Sequence, residues 1–87
     1  MSFNVRWHEN AVNDLKGIDK KVARSIIGKV STYLVSDPMS LGKPLKGMFK
    51  GLYRYRFGAY RIMYAVDMGQ REILVLRVGH RKEVNSE

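Results

Sequence analysis

Residues 52–64 read Leu-Tyr-Arg-Tyr-Arg-Phe-Gly-Ala-Tyr-Arg-Ile-Met-Tyr, an alternating run broken once, at Gly58-Ala59. A period of two belongs to strands, and a glycine-led pair between two such runs marks a hairpin with a type II′ turn. The alternation places Tyr53, Tyr55, Phe57, Tyr60, Ile62, Tyr64 and Val66 on one face and Leu52, Arg54, Arg56, Arg61, Met63 and Ala65 on the other. With that turn, Phe57 lies opposite Tyr60 and Arg56 lies opposite Arg61. Like charges facing each other across a strand pair destabilise a sheet. The arrangement benefits the molecule when an anion sits between them.

The charge is unevenly spread. The chain has 87 residues, 16 Lys and Arg against 8 Asp and Glu, and a formal net charge of +8. Residues 1–37 are nearly balanced, and no acidic residue occurs between Asp37 and Asp67. An excess of this size favours an anionic partner, nucleic acid or an acidic protein, although a generally basic surface also keeps a small domain soluble. Hard-cation sites need clustered carboxylates, so no metal is expected at the basic region. No cofactor motif is present. The absence of cysteine excludes disulfides and thiolate metal sites. No apolar run approaches the length of a membrane span and the first residues lack a signal-peptide pattern, which suits a soluble cytoplasmic protein.

The remaining pattern predicts one domain over residues 1–87. Phe3, Val5 and Trp7 alternate in a short strand. Ala11, Val12, Leu15 and Ile18 follow helical spacing, with His8 or Asn10 near the start and Gly17 near the end. Asp19 caps a second helix running to about Val35, with Val22, Ile26, Ile27, Val30 and Leu34 as its apolar stripe. Ser36-Asp37-Pro38 stops it. Residues 38–51 read as an ordered loop, followed by strands at about 52–57, 60–66 and 72–78. The expected fold is α+β: a mainly antiparallel four-stranded sheet with two N-terminal helices on one face, in the order β-α-α-β-β-β.

The helices should cover the aromatic face, so Tyr53, Tyr55 and Tyr64 fit a core better than a stacking platform for bases. In the last strand Leu74, Leu76 and Val78 alternate with Ile73, Val75 and Arg77, which brings Arg77 to the basic face or its rim. The open face is then ringed by Arg54, Arg56, Arg61 and Arg81, with Lys43, Lys46 and Lys50 on the neighbouring loop and Lys82 beyond the sheet. Arginine offers planar, bidentate donation to phosphate at any physiological pH. RNA can be cut by its own 2′-hydroxyl when that proton is removed, the leaving oxygen is protonated, and cations stabilise the phosphorane. Arg56, Arg61 and Arg81 could supply the cationic part. Histidine is the side-chain type suited to proton transfer at physiological pH, which makes His80 a candidate, but a lone histidine is more often structural.

Three segments together resemble the RelE/ParE toxin superfamily, and specifically its RelE branch: Lys43-Pro-Leu-Lys-Gly, the run from Gly51 through Tyr64, and Leu76-Arg-Val-Gly-His-Arg-Lys-Glu-Val84. The resemblance implies the toxin of a type II toxin–antitoxin module, a ribosome-dependent endoribonuclease that cuts mRNA in the A site. It implies catalytic roles for Arg54, Arg56, Arg61 and Arg81, a less secure one for His80, and RNA or ribosome contacts for Lys43, Lys46, Lys50, Arg77 and Lys82. It also implies a cognate RelB-like antitoxin, acidic and amphipathic, through which the complex would bind operator DNA. Members commonly follow Glu-Val with tyrosine, where this chain has Asn85. An amide is neither a general base nor a π face, so the resemblance implies a weakened toxin, compensation by another residue, or deliberate attenuation. A ParE-like toxin acting on DNA gyrase is the alternative on the same fold; a non-catalytic RNA-binding module is a third.

Overall fold

The computed structural model describes residues 2–80. Its elements are β1 (Asn4–Trp7), α1 (Glu9–Lys16), α2 (Lys20–Thr32), α3 (Pro38–Leu41), β2 (Lys43–Pro44), β3 (Leu52–Phe57), β4 (Tyr60–Asp67) and β5 (Glu72–His80). Single 3-10 turns occupy Leu34–Ser36 and Gly47–Phe49.

Both long helices begin where a side chain satisfies an orphan amide. The His8 imidazole Nδ1 accepts from the Asn10 N–H at 3.0 Å, and the Asp19 carboxylate accepts from the Lys21 N–H at 3.1 Å. The apolar stripe of α2 then buries Ile26 and Val30 completely. Below them lie Ile62 and Tyr64 of β4 and Ile73, Val75 and Val78 of β5, all at or close to zero exposure. Burying one such aliphatic side chain is worth roughly 1.5–3 kcal/mol, so this layer is the main source of stability.

The sheet order is β1-β5-β4-β3-β2, with β1 parallel to β5 and the other pairs antiparallel. The chain therefore leaves one edge after β1, crosses through the helices, and re-enters at the opposite edge. The α+β class and the helix-covered sheet match the sequence reading.

Three details differ from it. The sheet has five strands and there is a third helix, because Lys43–Pro44 forms an edge strand and Pro38–Leu41 a short helix inside the segment expected to be loop. Proline is tolerated there because an edge strand has one side without ladder bonds. Helix α2 ends at Thr32 and tightens into the 3-10 turn, where the Ser36 hydroxyl donates to the Tyr33 carbonyl at 2.6 Å. It does not continue as α-helix to Val35. Finally, β5 does not alternate evenly. Its register slips between Met63 and Tyr64, which face Arg77 and Val75, leaving Leu76 as the extra residue of a bulge. Ile73, Val75 and Val78 consequently share the core.

Candidate functional site

The hairpin forms as its sequence predicts. Gly58 has φ of +60° and Ala59 is not in the positive-φ region, the combination a type II′ turn requires. Phe57 pairs with Tyr60, Arg56 with Arg61, and Arg54 with Met63. Directly after a two-residue turn, the second cross-strand pair is a non-hydrogen-bonded one, with Cα atoms about 4.5 Å apart and side chains close. Arg56 is exposed, and Arg61 is half-buried. In β5 the residue beside Arg61 is Gly79, so no side chain from that strand occupies this row.

One row away, Arg54 is in register with Lys43 of β2. Leu41, Lys43, Arg54 and Arg56 line a depression of about 280 Å³. Four cations, Lys43, Arg54, Arg56 and Arg61, thus share one face near the hairpin end of the sheet. Its walls can hold phosphate oxygens through bidentate guanidinium donors, with an apolar contact from Leu41.

Other expected members lie elsewhere. Lys46 and Lys50 are exposed, on the loop before β3 and thus at the end of that strand remote from the turn. At about 3.3 Å per residue, that distance separates them from the Arg56–Arg61 row. Arg77 is engaged by α1: its Nε donates to Asp14 at 2.8 Å and its Nη2 at 3.2 Å. His80 pairs with Tyr60, and the two rings meet edge-on with centroids 5.6 Å apart. Tyr60 belongs to the core-packed face, so the imidazole sits on the side of the sheet opposite the arginines. The bulge causes this, because an extra residue reverses which face each later residue of β5 takes. Arg81, Lys82 and Asn85 lie outside the described residues.

Two residues matter to this geometry that no sequence motif marks. Asp14 accepts from the Val78 N–H at 2.9 Å as well as from Arg77, tying α1 to the strand just beyond the bulge. Burial pushes its carboxyl up, but the hydrogen bonds from Arg77 and Val78 and the nearby guanidinium charge outweigh that and hold it below the usual carboxylate range. Tyr64 is fully buried, and its hydroxyl donates to the Pro38 carbonyl at 2.5 Å. Burial, then the neighbouring Tyr53 and Tyr55, push its phenol well above its ordinary range. It stays protonated and is no general base. Among the described residues, no group of three His, Cys, Asp or Glu is placed to hold a metal ion, and no helix is long and apolar enough to cross a membrane.

The family model for the ParE toxin of type II toxin–antitoxin systems, parDE, matches residues 5–85. The chain belongs to the RelE/ParE toxin superfamily. Toxin RelE of Mycobacterium tuberculosis is 32% identical over 91% of this chain and 81% of its own. Toxin RelG of the same organism is 29% identical over 97% of each. Among solved structures, the toxin–antitoxin complex RelBE2 from Mycobacterium tuberculosis contains a chain that superposes with a TM-score of 0.89 at 28% identity, covering 93% of this chain and all of that one. The intact Escherichia coli RelBE complex matches in fold, with a TM-score of 0.75 at 21% identity over 91% of this chain and 96% of that one. This superfamily member is the toxin of a type II toxin–antitoxin system.

Proposed function

We propose that the toxin is a ribosome-dependent endoribonuclease that cleaves mRNA in the A site without a metal ion. The observation that carries this reading is the cross-strand register of Arg56 with Arg61, continued by Arg54 and Lys43 on the same face. The RNA supplies the nucleophile. Its 2′-oxygen attacks the adjacent phosphorus, the bond to the 5′-oxygen breaks, and the products are a 2′,3′-cyclic phosphate and a 5′-hydroxyl. The 2′-hydroxyl loses one proton and the leaving oxygen gains one. Arg56 and Arg61 grip the non-bridging oxygens and stabilise the extra negative charge of the phosphorane. Arg54 and Lys43 hold the neighbouring backbone, and the family resemblance adds Arg81 to the cation set. Arginine is a poor base, His80 faces away, and Asn85 replaces a titratable ring. Catalysis therefore relies on charge stabilisation and on in-line positioning by the ribosome, at a reduced rate.

We infer a RelB-like antitoxin as partner, since relatives are seen as RelBE complexes. It would cover the basic face, and a second surface suits the same acidic amphipathic chain. A groove of about 560 Å³ lies between α1 and α2, and its lining includes apolar Val12, Ile18 and Ile27 and basic Lys16, Lys20 and Arg24. Operator binding by the complex would be the antitoxin's task, and the site of action is the cytoplasm, where ribosomes are.

Primer extension on mRNA in a programmed ribosome tests the proposal, using the parent protein, Asn85→Tyr and Arg61→Ala. Cleavage inside the A-site codon that rises with tyrosine and is lost with Arg61→Ala is expected. Absence of cleavage by both parent and tyrosine variant would sink it. Inhibition of gyrase supercoiling by the parent would then establish the ParE-like alternative.

A further inference from the structure

A buried oxygen is the feature that neither the fold nor the proposed chemistry accounts for. Phenylalanine at position 64 would fill the same core and stack on Tyr53 as the tyrosine does, with centroids 5.7 Å apart and planes 18° off parallel. What the hydroxyl adds is its bond to the Pro38 carbonyl, at the start of α3. The chain around it is shaped to that hydroxyl. A Cβ on Gly42 would overlap the Tyr64 oxygen and come within 2.9 Å of Cζ and 3.2 Å of the Arg54 carbonyl oxygen. The Gly42 N–H also reaches the Pro38 carbonyl, at 3.4 Å. The next residue is Lys43, in register with Arg54.

Strand β2 needs such support. It has two residues, one of them proline, and a further Leu45 N–H to Leu52 carbonyl bond of 2.9 Å. So short an edge strand is marginal by itself. The geometry points to Tyr64 as a positioning residue: its hydroxyl, seated against Gly42, latches residues 38–44 so that Lys43 joins Arg54 and Arg56 around the depression of about 280 Å³. The latch works from the opposite face of the sheet, so it never touches RNA. This inference rests on the reading of the basic face as an RNA site, and its test separates the two.

Four variants, Tyr64→Phe, Gly42→Ala, Lys43→Ala and Tyr64→Phe with Lys43→Ala, are compared with the parent and with Val78→Ala, a core change in the row of Ile62 rather than of Tyr64. Exchange of the Leu45 amide, read by hydrogen–deuterium exchange, reports the latch without any RNA. Removing the hydroxyl leaves a buried carbonyl short of a donor, so exchange should quicken about tenfold in Tyr64→Phe and Gly42→Ala. It should not rise selectively at Leu45 in Val78→Ala. The slope of log affinity against log salt, for a labelled single-stranded oligoribonucleotide, reports phosphate contacts and is insensitive to modest loss of stability. Each lost contact lowers it by about 0.7. Tyr64→Phe should lower the slope as Lys43→Ala does, and the double variant no further.

Unchanged Leu45 exchange in both latch variants overturns the latch. Quickened exchange with the slope of Tyr64→Phe at the parental value overturns the positioning role, as does a slope that Lys43→Ala leaves unchanged. A parent that binds no free RNA overturns the positioning role, while the proposed function stands or falls on primer extension in the programmed ribosome and the exchange data show whether the latch itself stands.

Discussion

The two faces of this sheet are built from alternate residues of the same strands, yet they serve opposite ends. On the face under the helices, Ile62 and Tyr64 of β4 are fully buried and mutually supported by α2. On the other face Arg61, between them in sequence, stands opposite Arg56 and gains nothing from its neighbour. The helix-covered face supplies most of the stability; on the other, Met63 is buried as well, but the Arg56–Arg61 row is held at some cost. Natural sequences depart from local consistency mainly where function demands it, and here the departures are like-charge pairs on one face, Arg56 with Arg61 and Lys43 with Arg54.

The contrast can be broken by substitution. The largest expected effect is on the buried face: Ile62→Ala should cost about 3 kcal/mol and lower Tm by well over 10 °C, measured by thermal denaturation. RNA affinity per folded molecule should be retained. Arg61→Ala should do the reverse, lowering A-site cleavage by about two to three orders of magnitude in single-turnover assays. Its Tm should stay level or rise, by under about 1 kcal/mol of stability, because a like-charge pair is relieved. A drop of several degrees instead would show that the arginine row is structural and that the two faces are not separable.

Asp14→Ala sits between these extremes, since it removes an accepted backbone amide and a guanidinium together. A loss of about 1–2 kcal/mol is expected in denaturant titration, discounted because Arg77 is half-exposed. The sign of its pH dependence follows from the lowered carboxyl. A depressed folded-state pKa contributes stability above the unfolded value, and that contribution is lost as pH falls through the folded one. Parent and Asp14→Ala stabilities should therefore differ by a constant amount near neutrality and converge below about pH 4. The smallest effect is expected for His80→Ala. A ring that edges against Tyr60, on the side of the sheet opposite the arginines, should change stability by no more than about 1 kcal/mol and leave the cleavage rate within a few-fold. A hundredfold loss of cleavage would mean that the two faces meet in catalysis at the end of β5.

The parts of this molecule legible in its sequence share a cause: their information is local. Asp19 announces a helix start because its carboxylate caps an amide two residues on, and Gly58 announces the turn because its φ of +60° disfavours other residues. The Arg56–Arg61 register follows from that turn alone. From these came the hairpin, the helix pair, the core face and four cations of the candidate site. The bulge at Leu76 was invisible because nothing in Leu74, Leu76 and Val78 says that one of them drops out of step. It nevertheless decides that Arg77 goes to Asp14 and His80 to Tyr60. Strand β2 was hidden in the same way, since Lys43–Pro44 has no strand pattern.

What the sequence determined by itself was the amphipathic hairpin and the sign of charge on its outer face, because alternation and turn chemistry act over a few residues. Only the tertiary structure decided which cations work together. A helix had to supply Asp14 to the far end of β5, and a buried tyrosine had to reach residue 38 from residue 64. Such contacts are set by packing across long separations, where a one-residue slip reverses the face of every side chain that follows it.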